Sequence, residues 1–348
     1  MYPRPVSAWP LAGFLVGWLL WSLRFMTPLA WGAPATHYTL TDLGPTTVLA
    51  LSKSDPTAVG YDTSTGQVIA AQLAPTFRSL GTLPQGLASR ALGASSERIV
   101  GYAFTDRAQH AVLWTADGAM VALSVRVGEP QLQTATATNG TDMAALTTGP
   151  VILVNGTSLL ELPTPDGAHG YIYALNNAGD AVGYTSMPTG HIHCTVWPVS
   201  GGVIDCAPPT GGGNSVAKDI NNAGHIVGYT EEPGATRGFV WLPQSGMLLL
   251  PPMPDATRSE AASLNDAGAI VGRSYTPGLC GTCPPSPQAA VLWQDGQPLD
   301  LQPYVINGAG WELGQAIGIN NDGVIVGQGT LNGQPHSWLL TPTTDVMK

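Results

Sequence analysis

Residues 219–230 read DINNAGHIVGYT, and the chain repeats this pattern at intervals along its length. Close copies are ALNNAGDAVGYT at 174–185, SLNDAGAIVGRS at 263–274 and GINNDGVIVGQG at 318–329. Weaker copies lie at 50–62, 91–103 and 137–146. Each has an apolar pair, a turn rich in Asn, Asp or Ser, and a second apolar run that Val-Gly closes in all but one copy. Asn, Asp and Gly accept the backbone angles of tight turns, so each copy predicts a β-hairpin.

The spacing of the hairpins identifies the kind of repeat. With the Gly of Val-Gly as a marker, and Ala145 in its place in the third copy, successive spacings are 41, 44, 38, 45, 44 and 55 residues. A period near 40–45 residues fits a four-stranded propeller blade better than leucine-rich, ankyrin or tetratricopeptide units. No apolar pattern with a helical period follows residue 35, which argues against helical solenoids.

Two further apolar runs follow most hairpins. One example pairs HAVLW at 110–114 with AMVAL at 119–123, joined by a Gly-containing turn. The third run contains Trp in five of the units. Because these Trp residues recur at one position of the repeat, we expect them to pack between blades; they are Trp114, Trp197, Trp241, Trp293 and Trp338.

The two ends of the repeat region complement each other. The last unit stops after its third run, whereas HYTLTDLG at 37–44 is a strand without a unit of its own. Pairing of this strand with the last unit would remove both open sheet edges. We therefore predict an all-β, seven-bladed β-propeller of four-stranded blades, in which residues 37–43 complete the last blade.

The hairpin LNNAGDAVGY, the run HAVLW and a final strand ending in Asp-Leu together resemble the bacterial extracellular HAF-repeat proteins, whose signature is His-Ala-Phe in the third strand. The resemblance covers about residues 37–341, and His110-Ala111-Val112 is the nearest match to the signature. It implies a secreted repeat protein and assigns no enzymatic role.

Composition and charge limit the classes of partner. Only 10% of the residues are charged, against about 25% in ordinary soluble domains, and the formal net charge is −10. Without a cluster of Lys and Arg to displace counterions, nucleic acid is excluded as a partner. A neutral, polar surface is common outside the cell, so we expect an extracellular or cell-envelope ligand, either a glycan or a protein.

The N-terminus predicts export. Arg4 precedes an apolar run at 11–23, and Ala33-Pro34-Ala35 is a small-x-small cleavage pattern, as in a secretory signal peptide. The run is short for a membrane span of about 20 residues, although Arg24 and the long segment after it leave an uncleaved anchor as the alternative. We predict a signal peptide at 1–35, one propeller domain at 36–342 and a short tail at 343–348. The expected product is a secreted, extracellular or periplasmic monomer, without membrane association once the signal is cleaved.

All four Cys residues lie in the exported part, which favours disulfides. Cys194 and Cys206 flank a hairpin centred near Ser200, so they are expected to face each other on adjacent strands. Cys280 and Cys283 form CGTC among several prolines. A local structural bridge is favoured there over a redox-active pair, which would require a helix after the motif.

Candidate site residues collect on one predicted face. In a propeller, the connections between blades and the loops between second and third strands share a face near the channel mouth. Trp311 lies outside the Trp repeat and is the first candidate for stacking on a ligand, with core packing as the alternative. For the set as a whole, the alternative is a solvated rim without a role. The candidates are Trp311, Glu312, His169, Tyr171, Arg258, Glu260, Glu231, Arg237, His191 and His193, together with Tyr173, Asp255, Asp106 and Arg107.

The sequence contains no complete metal-binding, cofactor-binding or catalytic motif. His191 and His193 could place two imidazoles on one side of a strand, but no third ligand lies nearby in the sequence, so we expect no metal. The NNAGD turns lack the carboxylates of a calcium loop. No nucleophile elbow, zinc-protease helix, phosphate-binding loop or dinucleotide fingerprint is present, and we expect neither a cofactor nor an assignable catalytic residue.

Two functions of different classes follow. The first is a non-enzymatic binding or scaffold module that holds a glycan, peptide or envelope component on the loop face. The alternative is a polysaccharide hydrolase or lyase, in which two rim carboxylates, or a His and a carboxylate, lie close together at the channel mouth.

Overall fold

The computed structural model describes residues 37–123, 132–146, 149–155, 157–165, 168–188, 190–206, 213–232, 234–278, 288–294 and 296–343. The predicted signal peptide, the Cys280–Cys283 pair and most of the predicted tail therefore lie outside the described residues. Within the described residues, the secondary structure consists of β-strands and one 3-10 helix, Gln302–Tyr304.

The strands form seven described four-stranded antiparallel sheets, six of which are consecutive along the chain. Blade 1 contains β2 (Thr47–Leu51), β3 (Ala58–Asp62), β4 (Ile69–Ala74) and β5 (Arg78–Gly81). Blade 2 contains β6 (Ala88–Ala94), β7 (Arg98–Phe104), β8 (Gln109–Thr115) and β9 (Met120–Ala122). Blade 3 contains β10 (Thr134–Thr138), β11 (Met143–Leu146), β12 (Pro150–Val154) and β13 (Ser158–Glu161). Blade 4 contains β14 (Gly170–Leu175), β15 (Ala181–Ser186), β16 (Ile192–Trp197) and β17 (Ile204–Asp205).

Blade 5 contains β18 (Asn214–Ile220), β19 (Ile226–Glu232), β20 (Ala235–Leu242) and β21 (Gly246–Leu250). Blade 6 contains β22 (Arg258–Leu264), β23 (Ile270–Tyr275), β24 (Gln288–Gln294) and β25 (Gln297–Asp300). The closing blade contains β26 (Trp311–Ile319), β27 (Ile325–Leu331), β28 (Gln334–Thr343) and, from the other end of the described chain, β1 (His37–Asp42). The predicted all-β propeller with four-stranded blades is confirmed.

The closing blade joins the two ends of the domain. Strand β1 pairs antiparallel with β28, with Leu40 opposite Leu340. The side chain of Asn307 both accepts from Leu40 N at 2.7 Å and donates to Leu40 O at 2.9 Å. Tyr38, Leu40 and Trp338 are buried in one apolar cluster of this blade. The N-terminal strand is therefore held by backbone pairing, by an amide side chain and by core packing.

The repeated Trp residues fill the spaces between blades. Trp114, Trp197, Trp293 and Trp338 are at most 1% exposed, whereas Trp241 is half-buried. Three indoles also donate across a blade boundary to the outer part of the preceding blade. These bonds join Trp114 to Leu80 O, Trp197 to Pro163 O and Trp293 to Pro251 O. The predicted packing of the Trp residues between blades is thus observed for these side chains.

The predicted bridge between Cys194 and Cys206 is present, with a Cα–Cα separation of 5.1 Å. Cys206 N also donates to Cys194 O at 2.9 Å, as expected for facing positions on two adjacent strands. Both residues are buried. The bridge fastens the short outer edge of blade 4, where β17 has only two residues.

No helix among the described residues is both long enough and apolar enough to span a membrane.

A belt of asparagine side chains links the hairpin turns at one end of the propeller. The Nδ2 group of Asn221, for example, donates to Asn265 O in the next blade at 3.1 Å, while its Oδ1 accepts from His225 N in its own turn at 3.0 Å. Asn221 is 3% exposed, so both groups need partners within the protein. Amide donation of the same kind continues through Asn139 to Asn176 O, Asn176 to Asn221 O, Asn265 to Asn320 O and Asn320 to Asp55 O.

A register shift recurs in the innermost strand of every described blade. In β14, for instance, the pairing with β15 skips one residue between Ile172 and Ala174, so Tyr173 is the extra residue of a β-bulge. The extra residues are Leu49, Leu92, Thr136, Tyr173, Lys218, Ala262 and Ile317.

In six of the seven described blades, the glycine of Val-Gly lies opposite the residue that precedes the bulge. A Cβ built on Gly183 would collide with the backbone carbonyl of Tyr171, and Gly228 stands in the same relation to Val216. The same collision applies at Gly60, Gly101, Gly272 and Gly327. At these six positions the bulged strand approaches too closely for a side chain, so glycine is favoured. Blade 3 is the exception, because Ala145 lies opposite Ala135 there.

The belt predicts a stability effect at one buried side chain. Asn221→Ala removes the donor to Asn265 O in blade 6 and takes away the acceptor of the Ala223 and His225 N–H groups in its own turn. We expect it to lower the free energy of unfolding by about 1–3 kcal/mol, measured by chemical denaturation. Asn177→Ala, in the equivalent turn of blade 4 but with an exposed side chain, should change it by less than about 0.5 kcal/mol. Equal effects of the two substitutions would contradict a structural role for the belt.

The close approach at the bulge predicts a second effect. We expect Gly183→Ala to destabilise the fold by about 1–3 kcal/mol, because the new methyl group forces β14 and β15 apart. Gly149→Ala is the control, since a Cβ at Gly149 meets no atom within 4 Å. Thermal unfolding of the two variants measures the difference, and a neutral Gly183→Ala would show that the bulge tolerates a side chain.

Candidate functional site: the central channel

The bulges gather their extra residues around one central channel of about 500 Å³. All seven extra residues line it, although they come from strands spread over the whole domain. A repeated backbone irregularity thus delivers one side chain per blade to a single space. Its volume lies in the range of small-molecule sites, about 300–1,000 Å³.

The channel residues occupy a fixed place in the repeat. Each lies three positions before the first polar residue of the hairpin turn, as Tyr173 does before Asn176 and Lys218 before Asn221. Apart from Asp219, the flanking positions hold small or apolar residues, whereas this position varies among Leu, Thr, Tyr, Lys, Ala and Ile. Variation at one position of an otherwise regular repeat indicates that it serves something other than the fold.

The channel wall has an apolar side and a polar side. Leu49, Leu92 and Ile317 belong to the closing blade and blades 1 and 2, which are neighbours in the ring. Tyr173 and Lys218 belong to blades 4 and 5, across the channel. The channel therefore suits an amphipathic molecule better than a uniformly apolar one.

A cluster of tyrosines forms most of the polar side. The rings of Tyr171 and Tyr184 are stacked, with centroids 5.7 Å apart and planes 4° from parallel. Tyr173 lies 4.8 Å from Tyr171 and 6.1 Å from Tyr184. Burial raises the pKa of Tyr171 and Tyr173, and it raises the pKa of Tyr229, another channel residue, to about 12. These phenols remain neutral hydrogen-bond donors throughout the physiological range.

Lys218 places a cation among these rings. Its Nζ lies 3.7 Å from the centroid of the Tyr173 ring, a cation–π contact. Burial lowers the pKa of Lys218 to about 8, an effect that the Glu260 carboxylate partly offsets. The ammonium is thus held where its charged form is penalised, which is common for residues retained because of a function.

An ion pair with two aromatic neighbours lies beside Lys218. Arg273 contacts the Glu260 carboxylate at 2.8 Å from Nη2 and at 3.0 Å from Nε. The hydroxyl of Tyr275 donates to the second oxygen of Glu260 at 2.7 Å, and the guanidinium of Arg273 lies 4.6 Å from the centre of the Tyr275 ring. Glu260 is thereby fixed as an acceptor with both oxygens occupied.

A second ion pair crosses the channel near the hairpin turns. Lys53, from the first turn of blade 1, reaches Asp219 of blade 5 at 2.5 Å and also donates to Leu264 O at 2.6 Å and Ser263 Oγ at 3.0 Å. Ser263 Oγ in turn donates to Asp219 at 2.6 Å. This network lies at the turn end of the channel, so a ligand would enter from the opposite end, where the connections between blades lie.

Of the candidates from the sequence, Tyr171, Tyr173 and Glu260 line the channel. Trp311 does not: it is 8% exposed and packs in the core of the closing blade, with its ring against His336 at 5.9 Å. The alternative prediction for Trp311, packing in the core, is therefore the one that the structure confirms. Strand β26 begins at this residue, and the side chain lies in the apolar cluster of the closing blade.

The remaining candidates are dispersed around the rim. Arg237 and Arg258 lie together between blades 5 and 6, where Arg237 donates to Thr257 O at 2.5 Å and Arg258 to Thr236 Oγ1 at 3.2 Å. His193 contacts Asp205 at 2.9 Å near the outer edge of blade 4. Exposed positions outside the channel lining are Glu231, Glu312, His169, His191, Asp106, Arg107 and Asp255.

In the part of the chain that the structure describes, His191 and His193 belong to no complete set of metal ligands. Among the described residues, no group of three or more His, Cys, Asp or Glu side chains is arranged to hold a metal ion.

Lys218, Tyr229 and Arg273 were missed by reasoning from the sequence, which looked for loop residues. Their signal was present in the repeat. Lys218 stands three positions before its turn, and Tyr229 and Arg273 directly follow the glycine of Val-Gly. These positions are recognised as channel positions only when the bulge is known.

Comparisons with known proteins identify the fold and nothing finer. No protein-family model and no curated protein sequence matches this chain. Among solved structures, a streptogramin B lyase is 11% identical with a TM-score of 0.54, covering 89% of this chain and 100% of its own. Virginiamycin B lyase from Staphylococcus aureus is 12% identical with a TM-score of 0.52, covering 87% and 99%. The β-propeller domain of the Trilobed protease from Pyrococcus furiosus is 9% identical with a TM-score of 0.53, covering 90% and 97%. At these identities, the chain is similar to them as a β-propeller only.

The environment of Lys218 predicts a pH-dependent stability. Because the pKa of Lys218 falls from 10.5 to about 8 on folding, the unfolded chain binds more protons between these pH values, and stability rises with pH across that window. We expect Lys218→Met to stabilise the protein by about 1–3 kcal/mol below pH 8, with the gain shrinking towards pH 10.

Denaturant titrations across this pH range measure the effect. Arg107→Met is the control, because the Arg107 side chain is 89% exposed and should show no such dependence. A destabilised Lys218→Met at pH 7 would contradict the stated penalty on the ammonium.

Proposed function

We propose that this protein is an exported, non-enzymatic binding module that holds a glycan in the mouth of its central channel. The proposal rests on the tyrosines that line the channel, Tyr171, Tyr173 and Tyr229. A sugar ring offers C–H faces that stack on aromatic rings and hydroxyls that exchange hydrogen bonds with phenols, and tyrosine provides both kinds of contact. A channel with one apolar and one polar side matches that amphipathic character.

The channel suits a chain end or a short oligosaccharide. Its volume of about 500 Å³ is too small for a folded protein partner, and the Lys53 network lies across its turn end. A glycan would therefore enter from the loop face with its terminal residues foremost. We therefore propose that the ligand enters from the predicted face and binds inside the channel rather than on the surrounding rim.

The arrangement of the carboxylates supports binding over hydrolysis. Among the described residues that line the channel, the carboxylates are those of Asp219 and Glu260, and each is engaged by a cation and by a hydroxyl group. Glycoside hydrolysis by the usual route needs one carboxyl group that gives up a proton and another that attacks or activates water. Carboxylates held in ion pairs are poorly placed for either role.

The export of the protein is part of the same proposal. The Cys194–Cys206 bridge supports an oxidising compartment, where such bonds persist. Membership of the HAF-repeat family remains a prediction from the hairpin and third-strand patterns. Together they favour a ligand of the cell envelope or the surroundings.

A glycan array with the purified protein tests this function. We expect binding to a subset of oligosaccharides, and we expect Tyr173→Ala to weaken it by on the order of tenfold, because a stacking face is lost from the channel centre. Phe77→Ala is the matched control, since Phe77 is an aromatic residue 57% exposed and outside the channel lining.

Thermal unfolding of both variants shows whether the fold is retained. Glycan binding that Tyr173→Ala leaves intact would remove the channel as the site. Absence of binding to any glycan would refute the function.

A further inference from the structure

We propose that the ligand of this channel is an acidic glycan and that Lys218 binds its carboxylate. The inference rests on the proposed function and adds the chemical class of the ligand. It makes a uronic acid, a sugar ring that itself carries a carboxylate, the preferred occupant.

The charges of the channel leave one cation without an anion. Lys53, Lys218 and Arg273 line it with two carboxylates, those of Asp219 and Glu260. Lys53 pairs with Asp219 at 2.5 Å and Arg273 with Glu260 at 2.8 Å. Among the described residues, no carboxylate lies within 4.0 Å of Lys218 Nζ. The surplus positive charge of this site stands out in a chain with 13 basic and 23 acidic residues.

The position of Lys218 is one that favours an incoming anion. Its ammonium is partly removed from water, and the Tyr173 ring on one side replaces little of the lost hydration. A ligand carboxylate would supply the missing counter-charge and hydrogen-bond acceptors, and ion pairs strengthen where water is partly excluded. The lowered pKa of Lys218 has the same cause, the burial of its ammonium.

The neighbours of Lys218 fit the rest of a uronic acid residue. The rings of Tyr171 and Tyr173 on β14 and Tyr229 on β19 offer stacking faces and hydroxyl donors beside the ammonium. Leu49, Leu92 and Ile317 face them across the channel and can cover a ring face. The titratable and charged groups around Lys218 are Tyr171, Tyr173, Asp219, Tyr229, Glu260 and Arg273.

The charge of the Lys218 ammonium determines how the affinity for an acidic glycan changes with pH. Binding of a carboxylate requires protonated Lys218, and the bound anion raises the pKa of Lys218 back towards its ordinary value. Affinity for an acidic glycan should therefore be constant below about pH 7 and decline by up to tenfold per pH unit above the pKa of about 8. A neutral glycan should show no such decline.

The test compares each acidic oligosaccharide with its own methyl ester. Isothermal titration calorimetry of the purified protein would use a panel of trisaccharides of galacturonate, glucuronate, mannuronate and guluronate, each with its methyl ester, near pH 6.5 and near pH 9.5. We expect at least one acid to bind ten or more times more tightly than its ester at the lower pH, with most of that preference lost at the higher pH.

Variants of Lys218 identify the residue responsible. Lys218→Met should abolish the preference for the acid while retaining binding of the ester, and Lys218→Arg should restore part of it. Arg107→Gln, which removes an exposed cation outside the channel lining, should leave the preference unchanged. An equal loss in Lys218→Met and Arg107→Gln would overturn the assignment to Lys218.

Other outcomes separate this inference from the proposed function. Esters that bind as tightly as their acids, with no effect of Lys218→Met, would overturn the inference while supporting glycan binding. Tighter, Lys218-dependent binding of an oligomeric glycerol phosphate would identify phosphate as the anion and overturn the carboxylate. Failure of every saccharide in both the panel and the glycan array would overturn the proposed function itself.

Discussion

The buried asparagine at the first polar position of the hairpin turn connects local structure to the closed ring. One side chain satisfies its own turn through Oδ1 and reaches the next blade through Nδ2, as Asn265 does with Ala269 N and Asn320 O. Because the receiving carbonyl belongs to the equivalent asparagine, the same contact can repeat around the ring. Backbone–side-chain bonds outside the buried ring follow the same path, from Asn222 N to Asp266 and from Asp266 N to Asn321. Small neutral turns can therefore align blades without a large charged interface, which is consistent with the low charge of the chain.

The same hairpin unit also makes the channel. The bulge and its opposing glycine are parts of the scaffold, whereas the side chain at the bulge lines the channel and differs from blade to blade. Within one short motif, some positions are therefore fixed by the fold, and the neighbouring bulge position is free to vary. A repeat protein of this kind can change its ligand at these positions without altering the ring.

Lys218 lowers the stability of the fold, while in the proposed function it contributes to ligand binding. A neutral side chain there would avoid the cost of a half-buried ammonium, and the six other bulge positions are uncharged. The two ion pairs nearby show that the fold can neutralise charge in this region when a partner is present. A buried charged group without a counter-charge in the fold often pairs with a charge on a ligand. Lys218 is therefore a better indication of a binding site than the dispersed acids of the rim.

The sequence alone determined the repeat, the four-stranded blades, the disulfide between Cys194 and Cys206 and the partnership of the first and last strands, because each depends on local turn chemistry, strand alternation or the need to remove sheet edges. Tyr171 and Glu260 were also among the candidates from the sequence, but they were chosen because they lie near predicted loops and not because they line a channel. The tertiary structure decided that Trp311 belongs to the core, since burial depends on which strands pack against it. It also decided which side chains share the channel, because a β-bulge exchanges the two faces of a strand and is invisible in the alternation of apolar and polar residues. Lys53 reaching Asp219 across 166 positions of sequence is the clearest case, since only closure of the ring brings these residues together.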